Sequence, residues 1–309
     1  MSIPRIEIRN GKKLLVVQET PFIMLSGEVH NSSSSDLEYM ESVWKKADEW
    51  NLNSLLLPIT WELLEPEEGK FDFSIVDGLI AQAHKFDKKI GFLWFGSWKN
   101  AQCYYAPAWV KTQPEKYKRA QVVKGKNFTI LENVHGMKYS TLSAFCEATK
   151  NADAWAFASL MRHIREIDSE ENTVVMVQVE NETGLLGAAR EHSDEADLFF
   201  AQHVPQGLVD YLAGKNVGIG NGSYSDLHSA QGGTWEEVFG DAAEEAFTAY
   251  YTASYVNAVA QAGKAEYPLP MAVNCWLDKG QQPGRYPSGG TGFVYRSAPP
   301  CDMLRHFWN

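Results

Sequence analysis

The chain has 309 residues, 44% hydrophobic and 22% charged, the make-up of a soluble globular protein with room for one large domain or two ordinary ones. A net charge of −11 argues against a dedicated binder of nucleic acid or of acidic membrane, since both would be repelled. Cys103, Cys146, Cys275 and Cys301 form no Cys-x-x-Cys pair and no His-Glu-x-x-His run occurs, so neither a zinc site nor a disulfide scaffold is expected.

An alternating opening, Arg5 to Gln18, precedes a short apolar run from Pro21 to Glu28, which reads as a buried strand leading into Val29-His30. Ser35-Asp36-Leu37-Glu38 has the form of a capping box, and Leu37, Met40, Val43, Trp44, Ala47 and Trp50 keep helical spacing behind it. Leu55 to Ile59 is a second buried strand, followed by the loop Trp61-Glu62-Leu63-Leu64-Glu65-Pro66. Ser74 to Phe86 is a second amphipathic helix, with Val76, Leu79, Ile80, Ala83 and Phe86 on one face. Ile90 to Phe95 is a third strand, running into a polar loop, Gly96-Ser97-Trp98-Lys99-Asn100. A long irregular stretch then reaches about Tyr139. Ala154 to Ile167 is a helix, and Val174 to Val179 a fourth strand that ends in Glu180-Asn181-Glu182-Thr183-Gly184. Helices near 196–213 and 235–262 flank a Gly-rich segment, and Met271 to Trp276 is a fifth strand.

Apolar strands alternating with amphipathic helices imply a parallel sheet covered on both faces. No Gly-x-Gly-x-x-Gly follows any strand, which weakens a dinucleotide fold. Polar and aromatic residues crowd the C-terminal end of each strand, as they would where strand ends converge on the active face of a barrel. The expected fold class is therefore α/β, of the (β/α)8 TIM-barrel type, with about five of eight strands present. Residues 1–290 are expected to form a partial catalytic barrel, and 291–309 an atypical tail.

Cleaving a glycosidic bond needs a proton donor for the leaving oxygen and a second carboxylate facing the same cavity. Glu182 is the candidate donor, because it follows a buried strand and precedes a turn. From the residues alone, the plainer reading of such a Glu is a solvated or helix-capping side chain.

Four motifs in order change that balance. Gln178-Val179-Glu180-Asn181-Glu182-Thr183-Gly184 resembles the Gln-x-Glu-Asn-Glu-x-Gly signature of family 35 β-galactosidases, which share a clan of retaining (β/α)8 hydrolases with family 42. Leu25-Ser26-Gly27-Glu28-Val29-His30 resembles the first-strand segment. Thr60 to Phe73 resembles the segment after strand two. Asn274-Cys275-Trp276-Leu277 with Gly284 to Gly290 resembles the segment after strand five of a bacterial and fungal subgroup. The resemblance implies hydrolysis of terminal β-galactosides by retaining double displacement, with Glu182 as general acid/base, its pKa raised by burial and a nearby carboxylate. It implies that Asn181 donates to the sugar 2-OH, that Glu28 and Glu62 hold sugar hydroxyls or form a rim network, and that Asn274 belongs to the substrate site. Trp94, Trp98 and Trp276 are candidates for apolar walls, with core packing as the alternative for each. His30 is expected to be a structural hydrogen-bond partner.

The implied partner is a carbohydrate, a β-galactoside, with no nucleic acid, no membrane, no metal and no cofactor. The start has no apolar signal core, and the setting is expected to be cytoplasmic. The family's nucleophile is a Glu at the end of strand seven, and the sequence after Gly290 offers no crossover helix and no Glu. The tail is therefore expected to be a truncated or frame-shifted product, and this chain to be poorly stable and nearly inactive. Two other functions stay open: an endo-glucanase or mannanase of the same clan, and a non-catalytic sugar-binding remnant.

Overall fold

The computed structural model describes residues 2–122, 131–132, 138–186, 188–213 and 231–274. The alternating opening folds as an antiparallel hairpin of β1 (Arg5–Arg9) and β2 (Lys12–Val17), extended by β3 (Thr20–Pro21). Asn10 and Gly11 join its strands with φ of 54° and 72°, the left-handed pair that a tight hairpin turn requires.

The alternation of strand and helix then begins with β4 (Ser26–Glu28), α1 (Leu37–Glu49), β5 (Ser54–Thr60), a single turn α2 (Trp61–Leu64), α3 (Ser74–Lys85) and β6 (Lys89–Lys99). A connecting region carries α4 (Ala108–Lys111) and the two-residue strands β7 (Leu131–Glu132) and β8 (Lys138–Tyr139). The long helix α5 (Glu147–Asp168) leads to β9 (Val174–Asn181). Next come α6 (Asp194–Phe200), α7 (Gln206–Ala213), α8 (Trp235–Phe239), α9 (Ala243–Glu266) and β10 (Met271–Ala272).

Five strands form one all-parallel sheet in the order β10-β9-β6-β5-β4. That spatial order is also the chain order, each new strand being added on the same side. A doubly wound sheet reverses direction at a switch point, whereas a (β/α) barrel never does. The strand interiors explain the burial: Leu55, Leu57 and Ile59 on β5, Ile90, Phe92 and Trp94 on β6, and Val174, Val177 and Val179 on β9 are all inaccessible or nearly so. At about 25 cal/mol per Å² of apolar surface, these runs on two-sided strands are the main source of the sheet's stability.

Several expectations are corrected. The run from Pro21 is an edge strand of three residues, half-exposed, with Ile23 and Leu25 open to solvent. Helix α1 is capped by Asp36, whose side chain accepts the Tyr39 N–H at 2.9 Å, so Ser35 is not the cap of a box. Trp50 lies just past that helix and is 69% exposed. The helix expected over 196–213 is two pieces, because Pro205 cannot supply an N–H to a continuous helix. The expected loop Gly96–Asn100 is instead strand as far as Lys99. The Gly-rich segment at 214–230, Cys275, Trp276 and the tail 291–309 lie outside the described residues.

Candidate active site

The carboxyl end of β9 carries a cluster of polar side chains, and its backbone is unusual. Glu180 and Glu182 both have left-handed φ, 59° and 47°. Such a conformation costs a non-glycine residue about 1 kcal/mol or more and persists only when its surroundings fix it. Here four hydrogen bonds do so. Gln178 Nε2 donates to the Glu180 carbonyl at 2.9 Å, and the Trp98 N–H to Glu180 Oε2 at 2.8 Å. The Ala101 N–H donates to the Glu182 carbonyl at 2.8 Å, and the Glu182 N–H to Asn274 Oδ1 at 2.7 Å. The two turns at 180 and 182 send alternate side chains of this segment to different environments.

Glu180 goes inward, and is fully buried with Asp153 of α5. Asp153 accepts from Trp94 Nε1 at 2.9 Å and from the Ser97 hydroxyl at 2.6 Å, and the Tyr255 hydroxyl of α9 lies 3.2 Å away. Burial first, then the neighbouring Asp153, push the Glu180 carboxyl well above its ordinary range. The neutral form of the Glu180 carboxyl is therefore favoured in this burial. Gly96 is required at this point: a Cβ there would sit 2.6 Å from Glu180 Oε1 and 2.7 Å from Asp153 Oδ1.

Glu182 is half-buried at the strand ends. Burial pushes its pKa up, the Lys99 ammonium opposes that, and the Glu28 carboxylate adds to the rise. Lys99 closes β6 and Glu28 closes β4. In a flat sheet β4 and β9, three strand spacings apart, would be about 14 Å distant. Charges from both ends acting on Glu182 fit a sheet that curls so that its strand ends face a common cleft. Lys99 Nζ donates to Asn181 Oδ1 at 2.9 Å, which joins Asn181 to the same group.

The structure thus brings together Glu182, Asn181, Glu28 and Asn274. It sets Glu62 aside on the rim: this residue lies in the single turn α2, its N–H donates to the Tyr105 carbonyl at 2.9 Å, and its carboxylate pairs with Lys111 at 3.1 Å. Glu65 shapes the loop beyond, where its carboxylate accepts from Trp61 Nε1 at 2.8 Å and the Gly69 N–H at 2.7 Å. Trp98, expected in a polar loop, is a correction. It is the penultimate residue of β6, 2% exposed, with its ring 4.5 Å edge-on from Tyr255. The reason is Glu180, whose carboxyl takes the Ser97 and Trp98 N–H groups and keeps the segment extended. Trp94 is likewise core. Trp276 lies outside the described residues.

Two features escaped the sequence reading. Lys99 had a usable signal, a cation at the end of an apolar strand. The Glu180–Asp153 pair had none, since 26 residues and a helix separate the partners. Among the described residues no cluster of three His, Cys, Asp or Glu is placed to hold a metal ion, and no helix is long and apolar enough to cross a membrane.

Comparison with known proteins bears on this arrangement. Residues 32–208, more than half of the chain, match the profile of glycoside hydrolase family 42, described as β-galactosidase. No curated protein matches the sequence. Among solved structures, a β-galactosidase from Rahnella sp. R3 is similar at 16% identity and a TM-score of 0.52, over 81% of this chain and 35% of that one. A β-galactosidase from Bacillus circulans sp. alkalophilus gives 13% identity and 0.53, over 81% and 36%. A catalytic mutant of a family 42 β-galactosidase from G. stearothermophilus gives 13% and 0.51, over 83% and 36%. At such identities the likeness is one of fold, and the chain spans about a third of the length of the structures it matches.

Proposed function

The chain belongs to glycoside hydrolase family 42, the β-galactosidases, and from that membership we propose that it serves the hydrolysis of terminal β-galactosides by retaining double displacement, with Glu182 as general acid/base. The observation that carries this is Glu182 itself: a half-buried carboxyl at the C-terminal end of a strand paired in parallel on both sides, with its pKa raised. A donor must hold its proton until the glycosidic oxygen departs, and a raised pKa does this. Once the leaving group has gone, the same side chain, now a carboxylate, draws a proton from the incoming water.

Asn181 is assigned to the sugar 2-OH. Its Oδ1 is taken by Lys99, so the NH2 is the half of the amide left to donate, a contact that strengthens as positive charge develops at the anomeric carbon. Glu28 at the end of β4 is assigned to sugar hydroxyls, and Asn274 to holding the Glu182 backbone beside the substrate. Glu62, paired with Lys111 at 3.1 Å, is assigned to the outer rim. Trp276 is proposed as an apolar wall. The attacking carboxylate of the covalent step is assigned to none of the described residues. Residues 1–290 are proposed to be the catalytic region.

The test pairs galactose calorimetry with lactose hydrolysis in the 309-residue chain and in Glu182→Gln. Galactose binding in both is expected, with lactose hydrolysis lost in Glu182→Gln. Turnover that persists unchanged in Glu182→Gln would refute the assignment, and absence of binding in both chains would refute the sugar site.

A further inference from the structure

We infer that Lys99 is a positioning residue of this site: its ammonium fixes which half of the Asn181 amide is offered to substrate, and it is the cation that allows Glu28 and Glu182 to share one cleft. The inference rests on the sugar-site reading given above.

The geometry is specific. Lys99 is the last residue of β6, half-buried, and its Nζ lies over the Phe95 ring at 5.1 Å from the centroid. A half-buried ammonium is costly unless its protons are bound and its charge is answered. The hydrogen bond goes to Asn181 Oδ1 at 2.9 Å and not to a carboxylate. Because an ammonium can only donate, the amide is held with its oxygen toward Lys99 and its NH2 away from it.

The charge is answered at longer range. Among the described residues, Glu182 just past the end of β9 and Glu28 at the end of β4 favour the charged form of Lys99 against the effect of burial. In return Lys99 draws the Glu182 carboxyl down while Glu28 and burial draw it up. Without the cation, two carboxyls in one cleft would repel, and Glu182 would hold its proton to higher pH than it does beside Lys99.

The test uses the 309-residue chain labelled at the glutamate side-chain carbons, with Glu182→Gln assigning the Glu182 signal. Its ionisation midpoint is read by carbon NMR in wild type and in Lys99→Met, Lys99→Gln and Lys99→Arg. Loss of the cation in Lys99→Met or Lys99→Gln is expected to raise the midpoint by about one pH unit. Lys99→Arg is expected to restore it to within a few tenths. Lys99→Gln keeps a donor to Asn181 without the charge, so it separates the two roles and also carries the test should Lys99→Met fail to fold. Galactose affinity, read by calorimetry, should fall about tenfold in Lys99→Met and clearly less in Lys99→Gln. A midpoint unmoved in folded Lys99→Gln overturns the inference. A midpoint that moves in a wild-type background that binds no galactose supports the electrostatic role of Lys99 and removes the sugar-site reading instead.

Discussion

Replacing Glu191 by Gln should stabilise the protein increasingly as pH rises. Glu191 lies in the segment that leads from Glu182 to α6 and is 3% exposed. The Ser143 hydroxyl lies 2.7 and 2.9 Å from its two oxygens. The Ser193 hydroxyl and the Gln121 N–H also favour the carboxylate, but burial outweighs them and pushes the pKa from 4.5 up to about 7. Below 4.5 the carboxyl is protonated folded or unfolded and has no pH-dependent effect. Between 4.5 and about 7 only the folded state keeps the proton, so stability falls as pH rises, at about 1.4 kcal/mol per unit. Above about 7 the loss is complete, at about 3 kcal/mol for that interval. Gln has the shape of the neutral acid and never ionises. Urea unfolding of both proteins at pH 4, 5, 6, 7 and 8 is the assay, and the difference between them cancels every other titration. The expected difference is near zero at pH 4 and reaches about 3 kcal/mol in favour of Glu191→Gln at pH 8. A flat difference, or a variant less stable than wild type at pH 8, would refute the reasoning, because the hydrogen bonds would then outweigh the burial.

Glu180→Gln should gain on wild type in the same sense above pH 4.5, since burial and Asp153 raise that carboxyl too. Glu180→Ala should instead lose about 3 kcal/mol, because it strands the Trp98 N–H and leaves a cavity, and paired unfolding curves separate the two outcomes. Asn274→Ala removes the acceptor of the Glu182 N–H and should cost about 1 kcal/mol. Faster amide exchange at Glu182 is the accompanying sign, and unchanged exchange would count against the tether.

Much of the sheet was legible because its signal is local. Leu55 to Ile59, Ile90 to Phe95 and Val174 to Val179 are unbroken apolar runs, and they are the interiors of β5, β6 and β9. Ends were less legible, because long-range bonds set them. The extension of β6 through Trp98 depends on a carboxyl 82 residues away. The same cause hid Trp98's burial: Gly96-Ser97-Trp98-Lys99 has loop composition, and only Glu180 and Tyr255 make it strand and core. Glu182 and Asn181 were legible as a motif, and Glu28 through its own segment. Their meeting was not, since it depends on the curl of the sheet and on Lys99 lying between the strand ends.

Glu180 and Glu182 are the same residue type two positions apart, and the chain puts them to opposite uses. Each has its carboxyl pushed upward chiefly by burial. For Glu180 the neighbouring Asp153, another carboxyl, reinforces that push, and Trp94, Ser97 and Tyr255 hold Asp153 in place beside it. The result is a carboxyl whose neutral form is favoured and which accepts the Ser97 and Trp98 N–H groups, so an amide of the same shape can stand in for it. For Glu182 the neighbours oppose each other, Lys99 drawing the carboxyl down and Glu28 up. A group held between opposing charges can change its protonation state at modest cost, which general acid/base work demands and an amide cannot imitate. Gln at position 180 should therefore preserve the site and Gln at position 182 should silence it, although both substitutions remove one oxygen from the same strand end.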